Sequence, residues 1–132
     1  MLITRQGTVI VEAGESSYLN TTALAALVAG MFSATREVAR IVGENQFSIL
    51  LQQGERRHIH ISLVLDETML IVIFEDQTSI GLVRHASRKA GRQLAQALSA
   101  GRSKESELAG GEMPVSQFKE YALNLIDRIF QP

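Results

Sequence analysis

The sequence predicts an α+β fold in which one five-stranded antiparallel sheet carries helices on both faces. Three observations lead there. Two short β-rich runs open the chain around Gln6-Gly7, three more follow one another through short turns, and long stretches of helical periodicity lie between and after them.

Leu2 to Arg5 and Thr8 to Glu12 form the first pair, with Gly7 supplying the positive φ of a tight hairpin turn. Ala13 to Leu19 is a polar connection containing Gly and Ser. Thr21 to Val42 then reads as one long helix, with Asn20 placed to accept from a free first-turn N–H and Gly43 placed to close the last turn. Leu24, Leu27, Val28, Met31, Val38, Ile41 and Val42 recur at helical spacing and are expected to seat it. Ala26, Gly30 and Ala34, flanked by Ala25, Ala29 and Ser33, make a second stripe of small residues. A mid-helix Gly costs roughly 1 kcal/mol relative to Ala. Such a stripe therefore calls for a compensating close approach, by the protein's own sheet or by a second helix or partner; the partner surface is the favoured expectation.

Phe47 to Gln52, Arg57 to Leu65 and Met69 to Glu75 read as an antiparallel meander turning at Gln53-Gly54-Glu55 and at Asp66-Glu67. In the middle strand Ile59, Ile61 and Leu63 alternate with His58, His60, Ser62 and Val64, which predicts one apolar and one mostly polar face. The last strand is apolar on both faces and is expected at the sheet's centre. Thr78 is the expected cap of a second helix running from Ser79 to about Ala100. Ile80, Val83, Ala86, Ala90, Leu94, Ala97 and Leu98 supply its buried face, leaving Arg84, His85, Arg88, Lys89 and Arg92 solvated. Gly101 to Met113 has little to bury and reads as a flexible linker. Pro114 begins a final amphipathic helix with an apolar stripe of Val115, Phe118, Ala122, Leu125, Ile126, Ile129 and Phe130, which needs a groove on its own domain or on a partner. The chain thus divides into a domain (1–100), a linker (101–113) and a helix (114–132).

At 132 residues and 45% apolar, the chain has room for one domain with an adequate core. A formal net charge of -1 provides no global attraction to nucleic acid or to an anionic membrane. Zero cysteines exclude disulfides, thiol nucleophiles and Cys-based zinc sites, and fit a reducing compartment. No run approaches the roughly 20 apolar residues of a membrane span, and Met1 to Gln6 lacks the pattern of a secretory signal. The expectation is a cytoplasmic protein without nucleic-acid binding or direct membrane insertion.

Motifs that carry chemistry are missing. There is no phosphate-cradling loop ending in Lys and Ser or Thr, and no nucleophile elbow, so no catalytic, cofactor-binding or metal residues are assigned. His58 and His60 share a strand face but have no obvious carboxylate partner, and read as an exposed strand face. Asp66-Glu67 and Glu75-Asp76 sit at turns, where nothing makes them converge as paired acids. Arg56 and Arg57 read as turn solvation.

Three stretches together resemble the Roadblock family of dynein-light-chain-like domains, in particular its MglB-like bacterial branch. They are Thr22 to Glu44 (TALAALVAGMFSATREVARIVGE), Phe47 to Val64 (FSILLQQGERRHIHISLV) and Leu70 to Lys89 (LIVIFEDQTSIGLVRHASRK). The resemblance implies a Roadblock/profilin-like α-β-α sandwich that forms a homodimer, with sheets joined edge to edge and long helices paired across the two-fold axis. It further implies that this surface engages a Ras-like small GTPase, MglA, and accelerates its GTP hydrolysis in polarity or motility signalling. No arginine finger is supplied; the GTPase is remodelled so that its own residues reach catalytic geometry. By position, Ala29 and Ser33 match the helix face that meets the GTPase, while Ala26, Gly30 and Ala34 fall on adjoining positions assigned to the dimer interface. The final helix resembles one that some members lay on a second site of the GTPase.

The sequence departs from the family pattern in two places. Members normally begin with a helix before the first strand, and none is seen here; either the start omits it, or the final helix lies in the vacated groove. Met31-Phe32 replaces a smaller pair found in some relatives, which bears on partner choice. A non-catalytic Roadblock scaffold is the alternative function, and a ligand or metal sensor using His58 and His60 ranks third.

Overall fold

The computed structural model describes residues 1–65, 67–107 and 115–130. In chain order these form β1 (Leu2–Thr4), β2 (Val9–Val11), α1 (Thr21–Ile41), β3 (Ile49–Gln53), β4 (Arg57–Leu65), β5 (Thr68–Glu75), α2 (Ile80–Glu107) and α3 (Val115–Phe130). The strands make one antiparallel sheet in the order β2-β1-β5-β4-β3, so the strand that is apolar on both faces does lie at the centre.

Alternation along the strands sorts the core into two layers. On one face Ile3, Ile61, Met69 and Ile71 pack against Ala25 and Val28 of α1. On the other, Leu2, Val11, Val64 and Leu70 meet Ala90 and Leu94 of α2 together with Ala122, Leu125 and Ile126 of α3. The final helix thus finds its groove on its own sheet, beside α2. Full burial of Leu94 and Leu125 on that side and of Ile61 and Ile71 on the other makes the sheet two-sided in energy as well as in shape.

The β1–β2 hairpin depends on Gly7. Thr4 donates to the Thr8 carbonyl at 2.8 Å, Gly7 donates to the Thr4 carbonyl at 3.0 Å, and Gly7 has a φ of 92°. The turn also slides beneath α1, where a Cβ on Gly7 would lie 3.0 Å from the Ala26 Cα and 3.2 Å from the Ala25 carbonyl oxygen. Two constraints therefore fall on one residue, the left-handed backbone and the close approach.

Several expectations are corrected. Of the residues predicted to seat α1, Val28 is buried and Leu24 and Met31 pack half-buried against the core, but Leu27, Val38, Ile41 and Val42 are exposed, while Ala25 and Ala39, not predicted for that role, are buried. The helix carries two apolar faces, and the sheet takes the one that presents Ala25 and Val28 with Leu24, Met31 and Phe32. The polar face of β4 is not solvated, because α2 covers it: His58 and His60 are buried. Thr78 is used in the turn, donating to the Glu75 carbonyl, and Ser79 is the cap, its Oγ accepting from Leu82 at 3.1 Å. Helix α2 continues through Gly101 to Glu107 rather than ending near Ala100. One glycine costs only about 1 kcal/mol against the helix-favouring Arg, Lys and Glu that follow it. The rest of the predicted linker, 108–113, together with Pro114 and Asp66, lies outside the described residues. Strands β1, β2 and β3 are also shorter than or offset from their predicted bounds, with β3 beginning at Ile49.

Gly7→Ala is expected to destabilise the fold by about 2 kcal/mol or more, since the left-handed conformation alone costs about 1–2 kcal/mol. A lowered urea midpoint at unchanged m-value would register it. Leu125→Ala, at a position 1% exposed, should cost about 3 kcal/mol in the same measurement if α3 is an integral wall of the core.

Candidate functional site

Helix α1 is held firmly at both ends and by one face. Asn20 Oδ1 accepts from the Ala23 N–H at 3.1 Å. At the other end Gly43, with a φ of 87°, donates to the Arg40 carbonyl at 3.2 Å while Glu44 donates to the Ala39 carbonyl at 2.8 Å. That pair of crossed bonds is a Schellman closure, which satisfies carbonyls the helix leaves open.

The opposite face of α1 is unusual for a solvent surface. Ala26, Leu27, Gly30, Ser33, Ala34, Val38 and Ile41 are all exposed, Leu27 at 69% and Ile41 at 85%. A Cβ placed on Gly30 would meet nothing within 4 Å, so packing among the described residues does not require glycine there. Ala29 is half-buried and packs toward the core beside Gly7, whereas Ser33 is fully on the outside. The ion pair of Glu37 with Arg40, at 3.4 Å between exposed side chains, lies at the C-terminal end of this face.

Next to this face lies an open strand edge. β3 ends the sheet, pairs only with β4 among the described residues, and in Ile49–Gln53 carries neither a charge nor a proline that would discourage a further strand. Gln52 Nε2 reaches Met31 Sδ at 3.7 Å, which ties the α1 side of β3 to the helix. The apolar helix face and the unpaired edge are thus neighbouring parts of one surface.

His58 and His60 lie elsewhere, on the sheet face opposite α1, with His60 beside α2. His58 Nε2 is 2.6 Å from Asp76 Oδ1 and its ring sits 5.2 Å from that of Phe74, its cross-strand partner. Asp76 is the carboxylate partner that sequence spacing did not reveal, because the β4–β5 register brings residues 58 and 76 together. His60 is 1% exposed, and neither ring nitrogen has a hydrogen-bond partner among the described residues. No group of three or more potential metal ligands converges among the described residues. Arg57 is not merely solvated at a turn: its guanidinium lies 4.4 Å over the Tyr18 ring and 3.8 Å from Glu75. No helix among the described residues is long and apolar enough to cross a membrane.

Residues 1–74 match the family model of the Roadblock/LC7 domain. The chain belongs to the Roadblock/LC7 family. Its fold is similar to that of MglB from Myxococcus xanthus, at 33% identity and a TM-score of 0.73, over 75% of this chain and 80% of that one. The gliding protein MglB of Thermus thermophilus aligns at 27% identity with a TM-score of 0.63, covering 72% of this chain and 73% of the other. An MglB described in a tetrameric arrangement aligns at 28% identity and a TM-score of 0.66 over 72% of each chain. These neighbours make the Roadblock domain MglB-like. No curated protein matches it in sequence.

On this Roadblock domain the structure brings Ala26, Gly30, Ser33 and Ala34 to one exposed face and turns Ala29 partly inward. Leu27, Val38 and Ile41 also belong to that face, although periodicity predicts them for the core. A helix with apolar residues on two sides and only one sheet face to cover is the signal that could have found them.

Burial first, and the Arg84 charge second, hold the His60 imidazole below its ordinary value of 6.5. The unfolded chain therefore takes up this proton before the folded one. Stability is complete above the unfolded pKa and is lost progressively as pH falls through about 6.5 towards the lower folded value. His60→Gln should flatten that part of the pH dependence, measured as urea unfolding free energy from about pH 7.5 to about pH 5.5.

Proposed function

We propose that this Roadblock domain is a homodimeric regulator of a Ras-like small GTPase of the MglA kind. The observation that carries the proposal is Gly30, a mid-helix glycine that costs about 1 kcal/mol and that no packing among the described residues requires. Its compensation comes from a partner backbone reaching the smooth strip formed with Ala26 and Ala34. The exposed Leu27, Val38 and Ile41 add apolar area to that contact. The β3 edge lets two sheets join, which removes its unpaired backbone groups from water. The likeness to an MglB described in a tetrameric arrangement supports self-association.

In the dimer, Ser33 and the outer side of Ala29 meet the GTPase. The domain brings no catalytic residue and no cofactor of its own; it accelerates hydrolysis by favouring the arrangement in which the GTPase's own groups reach the attacking water. No arginine finger takes part. The setting is cytoplasmic signalling in cell polarity or motility.

Single-turnover GTP hydrolysis by the cognate GTPase, with and without this protein, tests the activity. Acceleration of about tenfold or more, saturating near two chains per GTPase, is expected. Tight binding with unchanged turnover would reassign the domain to a scaffold, and absence of binding would overturn the proposal. Gly30→Arg should yield a monomer by light scattering that no longer binds the GTPase, because the strip must expel or desolvate a long charged side chain. A Gly30→Arg protein that remains dimeric and still binds would refute the role given to this stripe.

A further inference from the structure

On the sheet face away from α1, a groove of about 330 Å³ opens between α2 and the β3–β4 side of the sheet. Arg84, Ser87, Arg88 and Arg92 follow helical spacing and line one wall, while His60 and Ser62 rise from alternate positions of β4. α2 is anchored over β4 and β5 by Val83, Ala90 and Leu94, all buried, so its flank toward β3 stands clear of the sheet. A Cβ on Gly91, in the same wall, would meet nothing within 4 Å.

The polar groups of this groove are out of balance within the protein. Ser87 is 2% exposed and His60 1% exposed. The Ser87 hydroxyl, the Ser62 hydroxyl and both His60 nitrogens are buried without a hydrogen-bond partner among the described residues. A buried polar group left unmatched destabilises the fold, so each of these favours a partner. Among the described residues no carboxylate lines the groove, and no ion pair engages Arg84, Arg88 or Arg92. Hydroxyl and imidazole donors at the floor, guanidinium groups at the rim and no competing anion are what a tetrahedral oxyanion requires.

We propose that this groove is a binding site for a phosphate group carried by a small molecule or a lipid headgroup. Arg84, Arg88 and Arg92 at the rim neutralise its charge, and the buried Ser62 and Ser87 hydroxyls and the His60 ring, brought to the groove wall by side-chain rotation, donate to its oxygens. The volume leaves room for an organic body beyond the phosphate itself. The groove lies on the sheet face opposite α1 and the proposed GTPase surface, and Ile49 of the β3 edge assigned to the dimer also lines it.

The test titrates pyrophosphate into the full chain at fixed ionic strength, following the thermal midpoint and the ring signals of His60 by NMR. A saturable rise in midpoint with a shift of the His60 signals is expected. Ser87→Ala, which keeps every charge, and Arg84→Gln/Arg88→Gln/Arg92→Gln should each weaken binding by about tenfold or more. The charge-matched control Arg36→Gln/Lys89→Gln/Arg128→Gln should bind as the parent does. A parallel arm uses vesicles containing phosphatidylglycerol: retention of the parent but not of the Arg84/Arg88/Arg92 variant assigns the phosphate to a headgroup, and response to pyrophosphate alone assigns it to a soluble ligand. No response in either arm, or an equal response from the site variants and the parent, would overturn the proposal.

Discussion

Everything in this fold depends on β5 being covered from both sides. Its residues Thr68–Phe74 alternate between two buried faces, and the sheet has no stability unless a helix layer closes each of them. α1 closes one with short side chains, Ala25 and Val28, which bring the helix close and let the β1–β2 turn pass beneath it at Gly7. α2 and α3 share the other, and neither alone spans it: α2 lies over β4 and β5, while α3 reaches β2. The final helix is thus part of the domain's core.

α1 gives the sheet Ala25 and Val28, with Leu24, Met31 and Phe32 packed beside them, and leaves Leu27, Val38 and Ile41 on the outside. The same helix therefore satisfies the sheet and presents a second hydrophobic surface, beside an edge strand with no protecting charge. The opposite face follows a different logic. There α2 covers β4 with its apolar positions but leaves its arginine flank over a polar strip of His60 and Ser62. One face is built of smooth apolar surface and the other of buried donors and cations, so the chemistry available on the two sides of the sheet differs in kind.

Much of this was legible in the residues. The hairpin glycine, the meander, the central strand and the Asn20 and Gly43 boundaries of α1 rest on local rules of turn, period and cap, and local rules do not need a fold to operate. Periodicity could not say which of two apolar faces of α1 the sheet would take. It also assigned His58 and His60 to solvent, because alternation marks a face as polar without knowing what lies above it. The Thr78–Ser79 choice of cap failed for a related reason: both residues are competent, and the preceding turn decides between them.

By itself the sequence determined the element order, the two-sided central strand and the small-residue stripe, since each follows from spacing along the chain. Only the tertiary structure decided that Gly30 has no packing partner among the described residues, that Asp76 stands beside His58, and that α3 closes the sheet. It alone also assembled Arg84, Ser87 and His60 into one groove. These are juxtapositions of residues far apart in sequence, fixed by strand register and helix docking, and a one-dimensional pattern carries no term for either.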